Sequence, residues 1–245
     1  TIMLGGWRTA EEIGFYGVTQ RIIQMLYTLP GLLTMSIFPT FARLAINDNK
    51  KFREVLEKSI GISLLFGIPL IFGGIILGGN LITALFGNEY IPATTTFQIL
   101  LITLILIFPG MFISNAVFAY NQQKNFIVFL ILGAMGNVIL NYFLIPKYGI
   151  EGSAIATLGA QILSTGFVWL KMKKVNYFTI FPHLIKVFIA AIIMSLTVWI
   201  IKIFGINIFI NIALSSLIYF GLLYILKEPL LGELKLIFSK PKNNN

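Results

Sequence analysis

The 245 residues contain no cysteine, so neither a disulfide framework nor thiol chemistry is available to them. Charge is scarce as well, with 11% of residues Asp, Glu, Lys or Arg against about 25% in an ordinary soluble domain. There are 9 acidic residues, all in loops or at the ends of apolar runs, so no carboxylate pair can be placed in mid-membrane. That leaves no readable metal cluster and no acid–base pair. The one histidine, His183, is flanked by Phe181, Pro182 and Leu184, where an interfacial side chain explains it better than a base or ligand. Gly73–Gly74 and Gly78–Gly79 lack the Lys and flanks of a phosphate loop and suit close helix packing instead. Enzymatic machinery is absent from the pattern, and no basic stripe interleaved with aromatics points to nucleic acid.

Apolar residues dominate, at 57%, with a mean hydropathy of +0.89. A soluble fold of this size has too little interior to hide them. Uncharged runs long enough to cross a bilayer as helices recur along the chain, and about 20 residues suffice for each crossing. They predict spans near 18–42, 60–84, 94–117, 126–146, 152–170, 181–202 and 204–226, followed by a tail over 227–245. Alternating these spans places 14 of the 18 basic residues on one side, from Arg43, Lys50 and Lys51 to Lys235 and Lys242. Arg8, Arg21, Lys147 and Lys202 fall on the other side. The positive-inside rule puts the larger set, and with it the C-terminus, in the cytoplasm. Lys50 to Ile60 carries Phe52, Val55, Leu56 and Ile60 at helical spacing, which predicts an amphipathic helix on the inner surface or a solvated linker helix. The chain starts at Thr1, and Ile2 to Gly6 reads as the tail of a further helix, so an N-terminal part is expected to be missing.

Polar residues inside the runs carry the functional signal. Gln20, Arg21 and Gln24 cluster at the start of the first span, and a cation there is costly unless water or an anion is near. Two readings stand: Arg21 lines a wet cavity, or its long stem snorkels to headgroups. Asn137 and Asn141 fall on one helical face with Gly133, facing a neighbouring helix or a cavity. Asn115 stands alone in the third span. Pro30, Pro69, Pro92, Pro109 and Pro146 put a kink or an end in each of the first four spans.

Three segments carry a resemblance. GFYGVTQRIIQMLYTLPGLLTMSIFPTFARL, with Gly14, Tyr16, Arg21, Phe38 and Pro39, resembles the eighth helix of polysaccharide flippases. LFGNEYIPA (residues 85–93) resembles the outer loop after their ninth helix, and IPKYGIEGSAIAT (145–157) the entry to their twelfth. The chain thus resembles the C-terminal half of a Wzx-type O-antigen or capsule repeat-unit flippase, in the superfamily of MATE-type exporters and the lipid II flippase. The resemblance implies an all-α polytopic membrane protein. Residues 1–170 would be the C-terminal lobe of a MATE-like flippase fold, and 171–226 two extra helices. It also implies translocation of undecaprenyl-diphosphate-linked oligosaccharide across the bacterial inner membrane by alternating access. Arg21, Gln20, Gln24, Asn115, Asn137 and Asn141 become candidate cavity residues, with no catalytic or metal-binding residue. Expected partners are the lipid-linked oligosaccharide, membrane lipids, the missing N-terminal half and polysaccharide polymerase machinery. No cofactor is expected beyond coupling to H+ or Na+. A cation-coupled multidrug exporter of the MATE type is the alternative. A polymerase or ligase would need a large outer loop with reactive groups, and the loops here are short.

Overall fold

The computed structural model describes residues 2–180 and 184–232. These residues form helices α1 (Ala10–Asn47), α2 (Asn49–Phe86), α3 (Thr94–Ile102), α4 (Leu104–Ala119), α5 (Gln123–Val175), α6 (Leu184–Ile203) and α7 (Ile208–Ile225). No strand occurs among the described residues. Short 3-10 turns, Leu4–Gly6 and Asn88–Ala93, lead into α1 and α3. His183 and the basic tail beyond Gly232 lie outside the described residues.

Six helical stretches are long and apolar enough to cross a membrane, with α3 and α4 counted as one stretch interrupted at Thr103. The longest, α5, has 53 residues, well over twice the roughly 20 that a bilayer crossing needs. Its backbone leaves the helical region at Gly149 (φ 60°, ψ −134°), a conformation open to glycine and hostile to L side chains. The chain folds back there, so residues 123–148 and 150–175 become two antiparallel arms, and the membrane-length apolar stretches among the described residues number seven. Small residues let the arms approach. A Cβ on Gly133 would meet Ser164 at 3.4 Å, and one on Gly136 would lie 3.7 Å from the Ala160 Cα. Such contacts hold helices together in lipid, where burial of apolar surface supplies no driving force.

The helix starts follow local chemistry. Thr9 caps α1 in a reciprocal capping box with Glu12, and Asp48 caps α2 by accepting from the amides of Lys50 and Lys51. Pro30 and Pro39 sit inside α1, Pro69 inside α2 and Pro109 inside α4, each removing one backbone hydrogen bond without ending its helix. The segment around Phe52 belongs to α2 itself. Phe52, Leu56 and Ile60 are wholly buried, with Phe52 against Phe41 and Tyr120, so its apolar face meets protein rather than the membrane surface.

Two apolar clusters divide the bundle. One joins Phe41, Phe52, Phe112, Met172 and Tyr219; the other joins Leu4, Tyr16, Phe97, Leu101 and Ile150. Phe66 of α2 packs against both. At the first cluster's end, called here the basic end, Tyr120 donates to Asn49 (2.7 Å) and accepts from Asn176 (2.8 Å). Burial pushes the Tyr120 phenol pKa up, and the Asn176 amide pulls it back in part. Glu57 accepts from the Thr179 amide there (2.6 Å), which ties α2 to the segment that follows α5. Helices α6 and α7 attach through α2: Tyr219 donates to the Leu65 carbonyl (2.7 Å), and Lys202 to that of Ile76 (2.7 Å). Glu228, past the end of α7, is 4% exposed, and its Oε1 has no hydrogen-bond partner.

The hairpin turn supplies a test. A Cβ at Gly152 would collide with the Leu144 carbonyl, which is backbone and has no rotamer to escape into. Gly152→Ala is expected to cost about 1–3 kcal/mol, read as a lower unfolding midpoint in detergent. An unchanged midpoint would mean that the arms are not this close.

Candidate functional site

The polar residues of α1 and of the two arms of α5 meet in a seam at the end opposite the basic one. On α1, Tyr16 and Gln20 are one turn apart and share a face, so Gln20 Nε2 donates to the Tyr16 hydroxyl at 2.9 Å. That hydroxyl lies 3.5 Å from Thr157 Oγ1 on the second arm. Thr157 gives its own proton to the Ser153 carbonyl (3.0 Å), leaving its oxygen free to accept from Asn137 Nδ2 on the first arm (3.4 Å). One turn on, Asn141 Nδ2 donates to both the carbonyl and Oδ1 of Asn137 (2.8 and 2.9 Å). The result is a line of hydrogen bonds across three helical segments. Tyr16 is 3% exposed and Asn141 5%, yet Asn141 Oδ1 finds no partner. An unsatisfied buried acceptor costs about 1–3 kcal/mol, so a donor or cation arriving there would be welcome.

Three of the six candidate residues, Gln20, Asn137 and Asn141, are thus brought together. Arg21 and Gln24 are exposed beside them, with no hydrogen bond or ion pair among the described residues. Asn115 stands apart; it is half-buried and donates to the Met111 carbonyl of its own helix (3.0 Å). Sequence reading did not assign Thr157, which bridges both arms to Tyr16. The signal lay in the spacing of Ser153 and Thr157, one turn apart on the arm facing Asn137. Tyr16 was visible only through the resemblance.

The other side of α1 is apolar. Ile22, Leu26 and Leu29 border a cavity of about 320 Å³, with Pro69 and Gly73 of α2 and Ser215 of α7 among its other walls. At 3.6 residues per turn, Arg21 projects between the Gln20–Gln24 face and the Ile22–Leu29 face. One helix therefore carries a polar seam, a cation at its rim and a greasy groove. Among the described residues no group of three or more His, Cys, Asp or Glu could hold a metal ion.

These features define an all-helical polytopic membrane protein whose first helix is two-sided, polar toward one neighbour and apolar toward others. Residues 13–224 match the family described as lipid II flippase MurJ, and the chain belongs to that family. The probable flippase AglR of Haloferax volcanii is 28% identical over 170 residues, covering 67% of this chain and 35% of that protein. A putative O-antigen transporter of Shigella flexneri is 26% identical over 148 residues, covering 60% of this chain and 35% of its own length. Among solved structures, the inward closed conformation of the lipid II flippase MurJ superposes with a TM-score of 0.76 at 20% identity, over 90% of this chain and 48% of that one. The chain spans about a third of the length of these two curated relatives.

Asn137 holds the seam together, since it both donates to Thr157 and accepts from Asn141. Asn137→Ala is expected to lower stability by roughly 1–2 kcal/mol, measured by unfolding in detergent. A loss below about 0.5 kcal/mol would show the hydrogen bonds to be replaceable by water.

Proposed function

We propose that the whole protein moves an undecaprenyl-diphosphate-linked oligosaccharide repeat unit from the inner to the outer leaflet of a bacterial inner membrane by alternating access, for polysaccharide biosynthesis. The observation that carries this reading is the two-sidedness of α1. A diphosphate with sugars needs a wet, positive, hydrogen-bonding path, while its prenyl chain needs apolar surface. Arg21, unpaired and exposed at the rim between the polar seam and the apolar groove, is placed to contact both kinds of group at their junction. The family membership and the two curated flippase and transporter names support the same reading.

In this reading, residues 1–170 are the C-terminal lobe and 171–226 two added helices. An N-terminal half supplies the facing wall and most of the positive lining. The C-terminus lies in the cytoplasm, and polymerase machinery takes up the product. The protein makes and breaks no covalent bond. Coupling to H+ or Na+ completes the cycle, and the unpartnered neutral oxygen of Asn141, beside the amide of Asn137, suits Na+. Asn141→Ala is then expected to abolish any stimulation of transport by Na+ over K+ in proteoliposomes. Stimulation that persists in this variant would assign the ion elsewhere.

Arg21→Ala in the full-length protein is expected to reduce surface polysaccharide without lowering the amount of protein in the membrane. A charge-assisted hydrogen bond of about 1.5–3 kcal/mol corresponds to roughly tenfold or more in substrate affinity. Normal polysaccharide with this variant would remove Arg21 from the mechanism. A MATE-type drug exporter would instead give drug sensitivity on deletion and intact polysaccharide.

A further inference from the structure

Arg8 belongs to none of the groups above. It precedes the N-cap Thr9, yet its guanidinium reaches across to the hairpin of α5. Nη2 donates to the carbonyl of Ile145 at 2.7 Å and to that of Pro146 at 3.3 Å. Nη1 lies 3.7 Å from a carboxylate oxygen of Glu12. The guanidinium carbon sits 3.3 Å from the point a Cβ on Gly149 would occupy. Nε is buried without a partner. The adjacent Trp7 packs edge-on against Tyr142 of the first arm, at 6.0 Å between ring centroids, and Leu4 is wholly buried.

The chemistry of the turn explains the attachment. The last carbonyls of a helix have no amide donor of their own and carry the negative end of its dipole. Where the first arm ends at Gly149, those of Ile145 and Pro146 point at the lead-in to α1. Nη2 of the guanidinium answers both while Nη1 turns to Glu12, and the missing side chain at Gly149 leaves room for the plane to lie flat. Two turns below this clamp, Tyr16 meets Thr157. Farther along, α1 exposes Met25, Leu32 and Met35. Among the described residues, the clamp and the Tyr16–Thr157 contact are the side-chain hydrogen bonds that join α1 and its lead-in to the hairpin, and both lie toward the same end.

We infer that Arg8 is a positioning residue. It pins the start of α1 to the turn of α5 and so fixes the register at which Tyr16 reaches Thr157 and the seam runs unbroken from Gln20 to Asn141. The inference rests on the proposed function for its consequence, because a broken seam matters only if it receives the saccharide headgroup. Lysine at position 8 supplies one nitrogen, which can serve the carbonyls or Glu12 but cannot bridge them as Nη2 and Nη1 do.

Two measurements on the full-length protein decide it. In the first, the pair Tyr16→Cys and Thr157→Cys is joined in membranes by a short bifunctional thiol reagent, because the tyrosine ring that spans this gap leaves the β-carbons too far apart for a direct disulfide, and the cross-linking yield is compared with and without an Arg8 change. The pair Gly110→Cys and Thr165→Cys, where a Cβ on Gly110 lies 3.3 Å from the Thr165 side chain, reports on the α4–α5 packing and serves as control. Arg8→Gln is expected to lower the first yield about threefold or more and leave the control unchanged, with Arg8→Lys between the two. In the second, with Tyr16 and Thr157 intact, transport of lipid-linked saccharide into proteoliposomes is expected to need about tenfold more substrate for half-maximal rate in Arg8→Gln, with part of the loss recovered in Arg8→Lys. Equal cross-linking yields with and without the change, or a control that falls in parallel, overturn the positioning role. So does normal transport alongside a reduced Tyr16–Thr157 yield. If the unmodified protein moves no lipid-linked saccharide, it is the proposed function that fails, and the cross-linking result still decides the clamp.

Discussion

The reversal of the chain at Gly149 is the constraint on which the rest depends. With helical dihedrals there, α5 would be a single rod about 80 Å long, far beyond the thickness of a bilayer. With φ at 60°, its second half returns alongside the first. Asn137 and Asn141 on one arm then face Ser153 and Thr157 on the other. A side chain at position 149 would be strained by the backbone and would occupy the space in which the Arg8 guanidinium lies. The same glycine therefore makes the hairpin and accommodates the clamp that joins it to α1.

Lipid surroundings shape what fills the space between helices. Apolar side chains gain little from meeting one another in place of acyl chains, so the interfaces rely on close approach and hydrogen bonds. Glycines at 133, 136 and 159 let the arms of α5 touch, and Gly67 and Gly74 of α2 admit Phe108 and Leu101. Hydroxyls and amides inside the bundle are almost all satisfied, many by carbonyls one turn back, as with Thr19, Thr34, Ser59 and Ser164. Against that background the unpartnered oxygen of Asn141 stands out, because it lies in the seam where several helices contribute polar groups.

Helix α1 combines two environments that a bilayer normally keeps apart. Its polar face is committed to the hairpin, its apolar face lines a cavity shared with α2 and α7, and Arg21 lies between them. An amphiphile with a charged diphosphate between sugars and a prenyl chain has the same arrangement of polarity. That correspondence supports the proposed function alongside the family to which the chain belongs.

Hydrophobic runs were enough to predict an all-helical chain of membrane-length apolar helices, because the length of a bilayer crossing and the cost of charge in hydrocarbon are imposed locally on the sequence. The sharing of a face by Asn137 and Asn141 was legible for the same reason, as helical periodicity orders neighbours on one element. The segment from Lys50 to Ile60 was not legible as part of α2. Its amphipathic pattern fits a membrane surface and a protein core equally, and only packing against Phe41 and Tyr120 chose the core. Nor could periodicity separate Asn115, which bonds within its own helix, from Asn137, which reaches another. The meeting of Tyr16 with Thr157, and of Arg8 with Ile145, joins residues far apart in the chain. Such contacts are set by how helices cross in three dimensions, a quantity that no local pattern of residues encodes.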